Sequence, residues 1–329
     1  MASAWVEPIL ANHAEAGFVA LVDLFPEAAA GYNAKYKLDC PVYTDLREAI
    51  DKTKPDIVLN ITVPDAHESV AATAMKNGCD VFCEKPMSDT YDACKRLVAL
   101  SEETGRSYSI MQNRRYNRNI RAYRDLIASG AVGKLGYLGA DFFIGAHFGG
   151  FRAVMDNPLV LDMAIHTFDQ ARFISGADPV SVYCHEWNPP GSWYGGNANA
   201  VIIYEMTGGL VFCYRGSWCA EGVNTSWECA WRAQGEAGTA VWDGEGGVYA
   251  EVADKTMKQE FIGPVKRVDA RWDWVGRDGH AGCIDDMFAA LESGKPAMTD
   301  CRDNIQSMRM VFGAIESAKA GRKIYMEEL

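Results

Sequence analysis

Apolar positions in the first hundred residues recur with two alternating periods. Trp5 to Ala16 has helical spacing with Ile9 on one face, Phe18 to Asp23 (FVALVD) reads as a short buried strand, and Pro26 to Tyr36 reads as an alanine-rich helix. The cycle then repeats. Leu46 to Asp51 is helical, Asp56 to Ile61 (DIVLNI) is a strand, Ala66 to Lys76 is a helix stopped by Gly78, and Asp80 to Cys83 (DVFC) is a strand. Thr90 to Glu103 and Ser107 to Met111 add a further helix and strand. Parallel strands need crossover connections, so short apolar strands separated by helices predict a parallel sheet covered on both faces. The expected class is α/β, with an N-terminal Rossmann-type doubly wound sheet.

From about Arg118 the pattern changes. Ile120 to Ser129 is a helix ending in Gly130, Lys134 to Ile144 reads as a strand, and alternating stretches follow at 179–186, 199–205, 209–218, 226–233 and 238–243. These predict a C-terminal α+β domain with a mainly antiparallel, open-faced sheet. A last helix, Asp303 to Ala320, places Ile305, Met308, Phe312 and Ile315 on one face and stops at Gly321, so it is expected to dock. No internal repeat or low-complexity linker interrupts the chain. The expected division is a dinucleotide-binding domain over 1–113 and a substrate-binding and oligomerisation domain over 114–329.

Composition narrows the partners. The 329 residues carry a formal net charge of −12 and no basic stripe, which excludes a phosphate backbone as ligand. No apolar run approaches the length of a membrane span, and the start MASAWVE lacks the basic region of a signal peptide. Ten cysteines without a C-x-x-C pair are expected to be reduced, which places the protein in the cytoplasm. No His/Cys set at recognisable spacing points to a metal.

In a doubly wound sheet, ligands gather at the carboxyl ends of the strands, which directs attention to Asp23, to Thr62 through His67, and to Glu84-Lys85-Pro86. Asp23 either starts the turn before Pro26 or accepts a ribose diol, in which case it favours NAD over NADP. The G-x-G-x-x-G fingerprint and the first strand of such a sheet are missing from this sequence. The expectation is that Met1 is an internal methionine and that Met1-Ala2 closes a glycine-rich turn encoded upstream. Lys85, a cation at a strand end, can stabilise a developing alkoxide. In the second half, Asp162, His166 and Asp169 stand at i, i+4 and i+7, so a helix would present all three on one face.

Several stretches together carry a resemblance: Asn60-x-Thr62-x-Pro64-x-x-His67, Gly78-x-x-Val81-x-Cys83-Glu84-Lys85-Pro86-Met87, Gln112-Asn113-Arg114-Arg115-Tyr116, and Leu161-Asp162-Met163-Ala164-Ile165-His166-Thr167-Phe168-Asp169. With them the chain resembles the glucose-fructose oxidoreductase/inositol dehydrogenase/MocA family over nearly its whole length. The resemblance implies that Lys85 touches cofactor and substrate and that Asp162 and His166 are catalytic. Asp23, Thr62, Pro64, His67, Glu84 and Lys85 are then expected around NAD, and Asn113, Arg114, Asp169 and Trp218 around the substrate. The implied activity is hydride transfer between a sugar or polyol secondary alcohol and the nicotinamide. The alternatives are an NAD-assisted glycosidase or lyase and a non-catalytic sugar-binding or assembly protein. The family's open sheet face implies a homodimer or homotetramer. The segment Phe151 to Pro158 departs from the family's glycine-rich approach to the helix, so the substrate rim differs.

Overall fold

In the computed structural model, which describes residues 1–258 and 261–329, the chain forms two compact units. The first comprises Met1–Met111 and His280–Ile305, the second Gln112–Gly279 and Gln306–Leu329.

The first unit alternates as its periodicity requires. Helix α1 (Ser3–Asn12) is followed by β1 (Leu21–Val22), α2 (Pro26–Tyr36), β2 (Val42–Tyr43), α3 (Leu46–Thr53), β3 (Ile57–Asn60), α4 (His67–Lys76), β4 (Asp80–Cys83), α5 (Tyr91–Thr104) and β5 (Tyr108–Ile110). Side chains at the right places start two of these helices: Asp45 accepts from the Glu48 amide at 2.7 Å and Thr90 from the Ala93 amide at 3.3 Å. All strand pairs are parallel, but they fall into two ladders, β1–β2 and β3–β4–β5. Within the three-stranded ladder Val81, Phe82, Cys83, Tyr108 and Ile110 are wholly buried, while Ile57, Val58 and Leu59 of β3 remain half-buried. The strand read over 18–23 shrinks to two paired residues, because the parallel ladder with Val42 and Tyr43 engages only Leu21 and Val22.

Residues 280–305 belong with this unit, a correction to the expected second domain over 114–329. The physical reason is packing. On α8 (Gly279–Ser293) Phe288 sits edge-on to Phe82 at 5.5 Å and stacks on His13 at 4.2 Å, and Asp285 lies 3.0 Å from the His13 ring. Farther on, the Ile110 amide donates to the Thr299 carbonyl at 3.0 Å, so this segment closes the β5 edge.

The second unit is built on a nine-stranded sheet. Its helices are α6 (Arg118–Ala128), α7 (Ile165–Ser175) and the later part of α9 (Cys301–Ala320). Its strands are β6 (Leu135–Phe143), β7 (Pro179–Trp187), β8 (Asn199–Met206), β9 (Val211–Ser217), β10 (Ala230–Gly235), β11 (Gly238–Trp242), β12 (Val248–Ala253), β13 (Val265–Asp269) and β14 (Ile324–Tyr325). The order is β13-β12-β11-β10-β6-β9-β8-β7-β14, antiparallel throughout except between β6 and β9. In-out alternation from Val182 onward along β7 and along β8 buries one face, with a register shift between Pro179 and Ser181; the other face leaves Tyr183, Val201 and Ile203 exposed. Helix α9 covers the buried face through the Tyr204 hydroxyl, which donates to the Met310 carbonyl at 2.9 Å.

One buried acid on this sheet is poorly accommodated. Glu186 of β7 accepts from Asn157 Nδ2 at 2.9 Å, and its other oxygen has no hydrogen-bond partner among the described residues. Burial pushes its carboxyl up to about 7, against the pull of Asn157 and the Lys319 charge. A carboxyl raised in the folded state stabilises when protonated, and that contribution is lost as pH rises from the unfolded value of 4.5 through about 7. Glu186→Gln should therefore leave stability at pH ~5 nearly unchanged and raise it at pH ~8, by at most on the order of 3 kcal/mol. Urea unfolding at both pH values checks this; an equal effect at both would show that the carboxyl does not titrate in the fold.

Candidate active site

At the carboxyl ends of β3 and β4 the chain is knitted together by side chains that the sequence reading assigned to the cofactor. Thr62 Oγ1 donates to Asn60 Oδ1 at 2.7 Å, and Asn60 Nδ2 donates to the His67 carbonyl at 3.1 Å. His67 has no exposed surface. Its Nδ1 lies 2.7 Å from the Pro86 carbonyl and its Nε2 lies 3.2 Å from the Thr62 carbonyl. Burial pulls the ring's pKa below the ordinary imidazole value, against those two carbonyls. A neutral imidazole carries one N–H, so His67 donates to one of these carbonyls, and its ring packs between the loops that follow β3 and β4. Pro64 opens a short 3₁₀ turn, Pro64–Ala66, between them.

Glu84 is also engaged by the fold. Its Oε1 accepts from Trp5 Nε1 at 2.7 Å and lies 3.7 Å from His280 Nε2, and its Oε2 accepts from the Lys85 amide at 3.2 Å. Burial alone would raise its pKa, but the hydrogen bonds from His280 and Trp5 outweigh burial and hold the carboxyl below its usual range. It is the anchor that ties α1 and α8 to the end of β4. Within residues 84–88 only Lys85 escapes full burial. Asp23 stands exposed after β1, where one carboxylate oxygen accepts from the Phe25 amide at 2.9 Å in a local turn.

In the second unit the helix bearing Asp162 and His166 is irregular. Pro158–Ala164 is a π-helix that passes into α7 at Ile165. The two aspartates on it face different partners, Arg152 and Arg115. Asp162 is buried and accepts from Arg152 Nε at 2.6 Å, with Arg152 NH2 at 3.5 Å. His166 is also buried, four residues further on.

Asp169 is tied into the second unit by an arginine and a serine. Arg115 grips it with Nε and NH2, each at 2.6 Å, and Ser307 Oγ donates to it at 2.7 Å. The pair is almost wholly enclosed, at 1% and 4% exposure. Trp218 is 1% exposed; it stacks on Tyr194 at 5.5 Å and tilts against Phe148 at 5.5 Å. Arg114 remains a candidate: its side chain is 13% exposed, bonded to the Trp227 carbonyl and 3.6 Å from Glu228, with NH2 4.0 Å from the Met163 sulfur. Asn113, half-buried, opens the 3₁₀ turn Asn113–Arg115.

Sequence reasoning missed Trp5, His280, Arg115 and Arg152. The first three act through contacts distant in sequence and leave no local signal; Arg152 lies in an aromatic loop, FGGFR, which was available to be read.

The residues present suit an anionic dinucleotide. The first turn of α1 carries no acidic residue to repel a phosphate, while its Ala4 and Trp5 amides donate to the Met1 and Ala2 carbonyls. Exposed Asp23 and half-buried Lys85 supply an acceptor and a cation at strand ends. Among the described residues no group of three or more His, Cys, Asp or Glu forms a metal site, and no helix is long and apolar enough to cross a membrane.

A Rossmann-like parallel unit joined to an α+β unit with a large mixed sheet defines a nicotinamide-type oxidoreductase architecture. Two family models match: the oxidoreductase family NAD-binding Rossmann fold over residues 1–112 and the Gfo/Idh/MocA C-terminal domain over residues 120–241. The chain belongs to the Gfo/Idh/MocA family of oxidoreductases. It is 26% identical over 294 residues to protein y4oX of Sinorhizobium fredii, covering 87% of this chain and 81% of that one. It is 30% identical over 167 residues to inositol 2-dehydrogenase of Ralstonia nicotianae, an alignment spanning 50% of this chain and 48% of that enzyme. The fold is shared with an oxidoreductase from Agrobacterium radiobacter solved with NAD+, L-tartaric acid and magnesium: TM-score 0.86, 21% identity, covering 99% and 96% of the two chains.

Asp169→Ala would strand the buried Arg115 charge and should lower unfolding stability by about 3–5 kcal/mol. Denaturant unfolding decides the role: a variant as stable as the parent would remove Asp169 from the scaffold and return it to the substrate.

Proposed function

We propose that the protein is an NAD-dependent dehydrogenase acting on a secondary alcohol of a sugar, polyol or related compound in the cytoplasm. The observation that carries the reading is Lys85, the one incompletely buried side chain in a turn whose neighbours are all enclosed, at the end of a Rossmann strand. Kinship with inositol 2-dehydrogenase supports the substrate class. Ten free cysteines, eight of them buried, suit a reducing compartment.

NAD supplies the hydride acceptor when bound. Asp23 would accept from its ribose, and Thr62 and Pro64 would shape the loop beside it. Lys85 holds the substrate oxygen and stabilises its developing negative charge. His166 removes the hydroxyl proton, and Asp162 orients the imidazole and stabilises its charged form. Arg114 and Asn113 contact the rest of the substrate.

Replacing His166 by Ala should reduce kcat by about 10²- to 10⁴-fold in a polyol panel followed by NADH absorbance. An unchanged rate would remove His166 from the mechanism, and sugar release without net NADH would favour the glycosidase or lyase alternative.

The same reading makes the open sheet face a homodimer or homotetramer interface. Tyr183, Val201 and Ile203 are 46%, 41% and 44% exposed on adjoining strands, an apolar surface suited to a second copy. Ile203→Glu should shift light-scattering mass to that of the monomer; a parent that is already monomeric would refute the interface.

A further inference from the structure

We infer that Arg152 is the positioning residue of the Asp162/His166 site, and that it is held to this task by a strap over residues 145–157 clamped at both ends by the segment 193–197. The inference rests on the roles just given to Asp162 and His166, but its central measurement does not need turnover.

A carboxyl group removed from water protonates unless a cation or several donors keep it charged. Protonated, Asp162 would become a donor, and it could neither accept from an imidazole N–H nor stabilise an imidazolium. Arg152 meets that requirement with Nε 2.6 Å from Oδ2 and NH2 3.5 Å from Oδ1. Its guanidinium is in turn fixed from the side by the Phe151 ring at 4.5 Å and the Phe148 ring at 5.3 Å. The side chain is 23% exposed, so water only partly screens the pair.

The strap explains how so short an arm is kept in place. At its start the Ala146 carbonyl accepts two hydrogen bonds, from Trp193 Nε1 at 3.0 Å and the Tyr194 hydroxyl at 2.6 Å. At its end the Gly195 amide donates to Ala153 and the Asn197 amide to Asp156, both at 2.8 Å. Between them a Cβ on Gly196 would collide with the Met155 and Asp156 carbonyls, so the close approach requires glycine. Gly149 and Gly150, at φ 64° and 60°, let the chain turn back toward the helix just before Arg152. Titratable and charged groups around the carboxylate include Arg152 from the strap, Tyr194 from the clamp and His166 on α7; Tyr194 feels the Asp162 charge, though burial is the larger cause of its raised pKa.

The test compares the parent with Arg152→Gln, Arg152→Lys and Tyr194→Phe, each checked for folding by circular dichroism. Carbon-13 carboxyl titration, with Asp162→Asn for assignment, reads the acid directly. Arg152→Gln should raise the Asp162 pKa by about one to three pH units, and Lys should restore most of the difference. With an oxidisable polyol, Arg152→Gln should lower kcat by about tenfold to a hundredfold with KM little changed and move the acid limb of kcat/KM to higher pH; Tyr194→Phe should do the same more weakly. An unmoved Asp162 titration overturns the inference, as does a rise in KM alone, which would make Arg152 a substrate contact. If the parent oxidises no polyol while the titration shifts as described, the dehydrogenase reading fails and the charge-setting role of Arg152 stands.

Discussion

The helix through the second unit buries every side chain from Ile165 to Ile174, and five of those side chains are polar. That constraint organises the unit around it, because a buried polar group without a partner costs more than its hydrogen bond returns. Thr167 meets the Cys229 sulfur at 3.2 Å, Gln170 donates to Glu228 at 2.7 Å, and Arg172 reaches Asp178 at 2.8 Å and Ser307 at 3.0 Å. Asp169 takes Arg115. Ser307 therefore serves both an acid and a base of the helix, which locks α9 against α7. A buried ion pair of this kind adds little net stability over a well-packed apolar pair, but it does fix register, since sliding either helix would strand charges.

The same economy governs the strand ends of the first unit. His67 bridges two carbonyls and Glu84 takes an indole N–H, so the residues that looked most chemically able are consumed in shaping the loops. The result is a turn whose residues other than Lys85 are buried from Glu84 to Ser88, so its backbone is ordered by the fold itself.

How far this was legible in the sequence depends on whether a residue's role is set locally. The β4 strand, the α5 cap at Thr90 and the alternation along β7 and β8 are written in neighbouring residues, and they appear where periodicity puts them. The strands β12, β13 and β14 went unread. β13 (VKRVD) is a largely exposed edge with little apolar contrast, and β14 pairs through only two residues, so neither has a pattern to detect. Side-chain roles were harder still. Asp169 and Asp162 look alike in sequence, seven residues apart on an apparent stripe, and only their partners, Arg115 and Arg152, tell their surroundings apart. Nothing near Trp218 in the sequence shows that Tyr194 and Phe148 pack against its ring. The placement of residues 280–305 could not be read either, because Phe288 finds Phe82 across two hundred residues of chain.

The π-helical turn deserves a physical account, since it replaces better hydrogen-bond geometry with worse. Pro158 begins it, which removes one amide donor where the helix start would leave it unpaired in any case. Ahead of it Asn157 spends its side chain on buried Glu186, an acid that burial disfavours and that helix formation alone would not place there. Both features fix the entry of the helix from the strap side. Asp162 and Asp169 stand seven residues apart, about 10 Å along a regular helix, so each can take its own arginine. Arg152 from the strap meets the first acid and Arg115 the second, and each buried carboxylate is matched by a cation from a different stretch of chain.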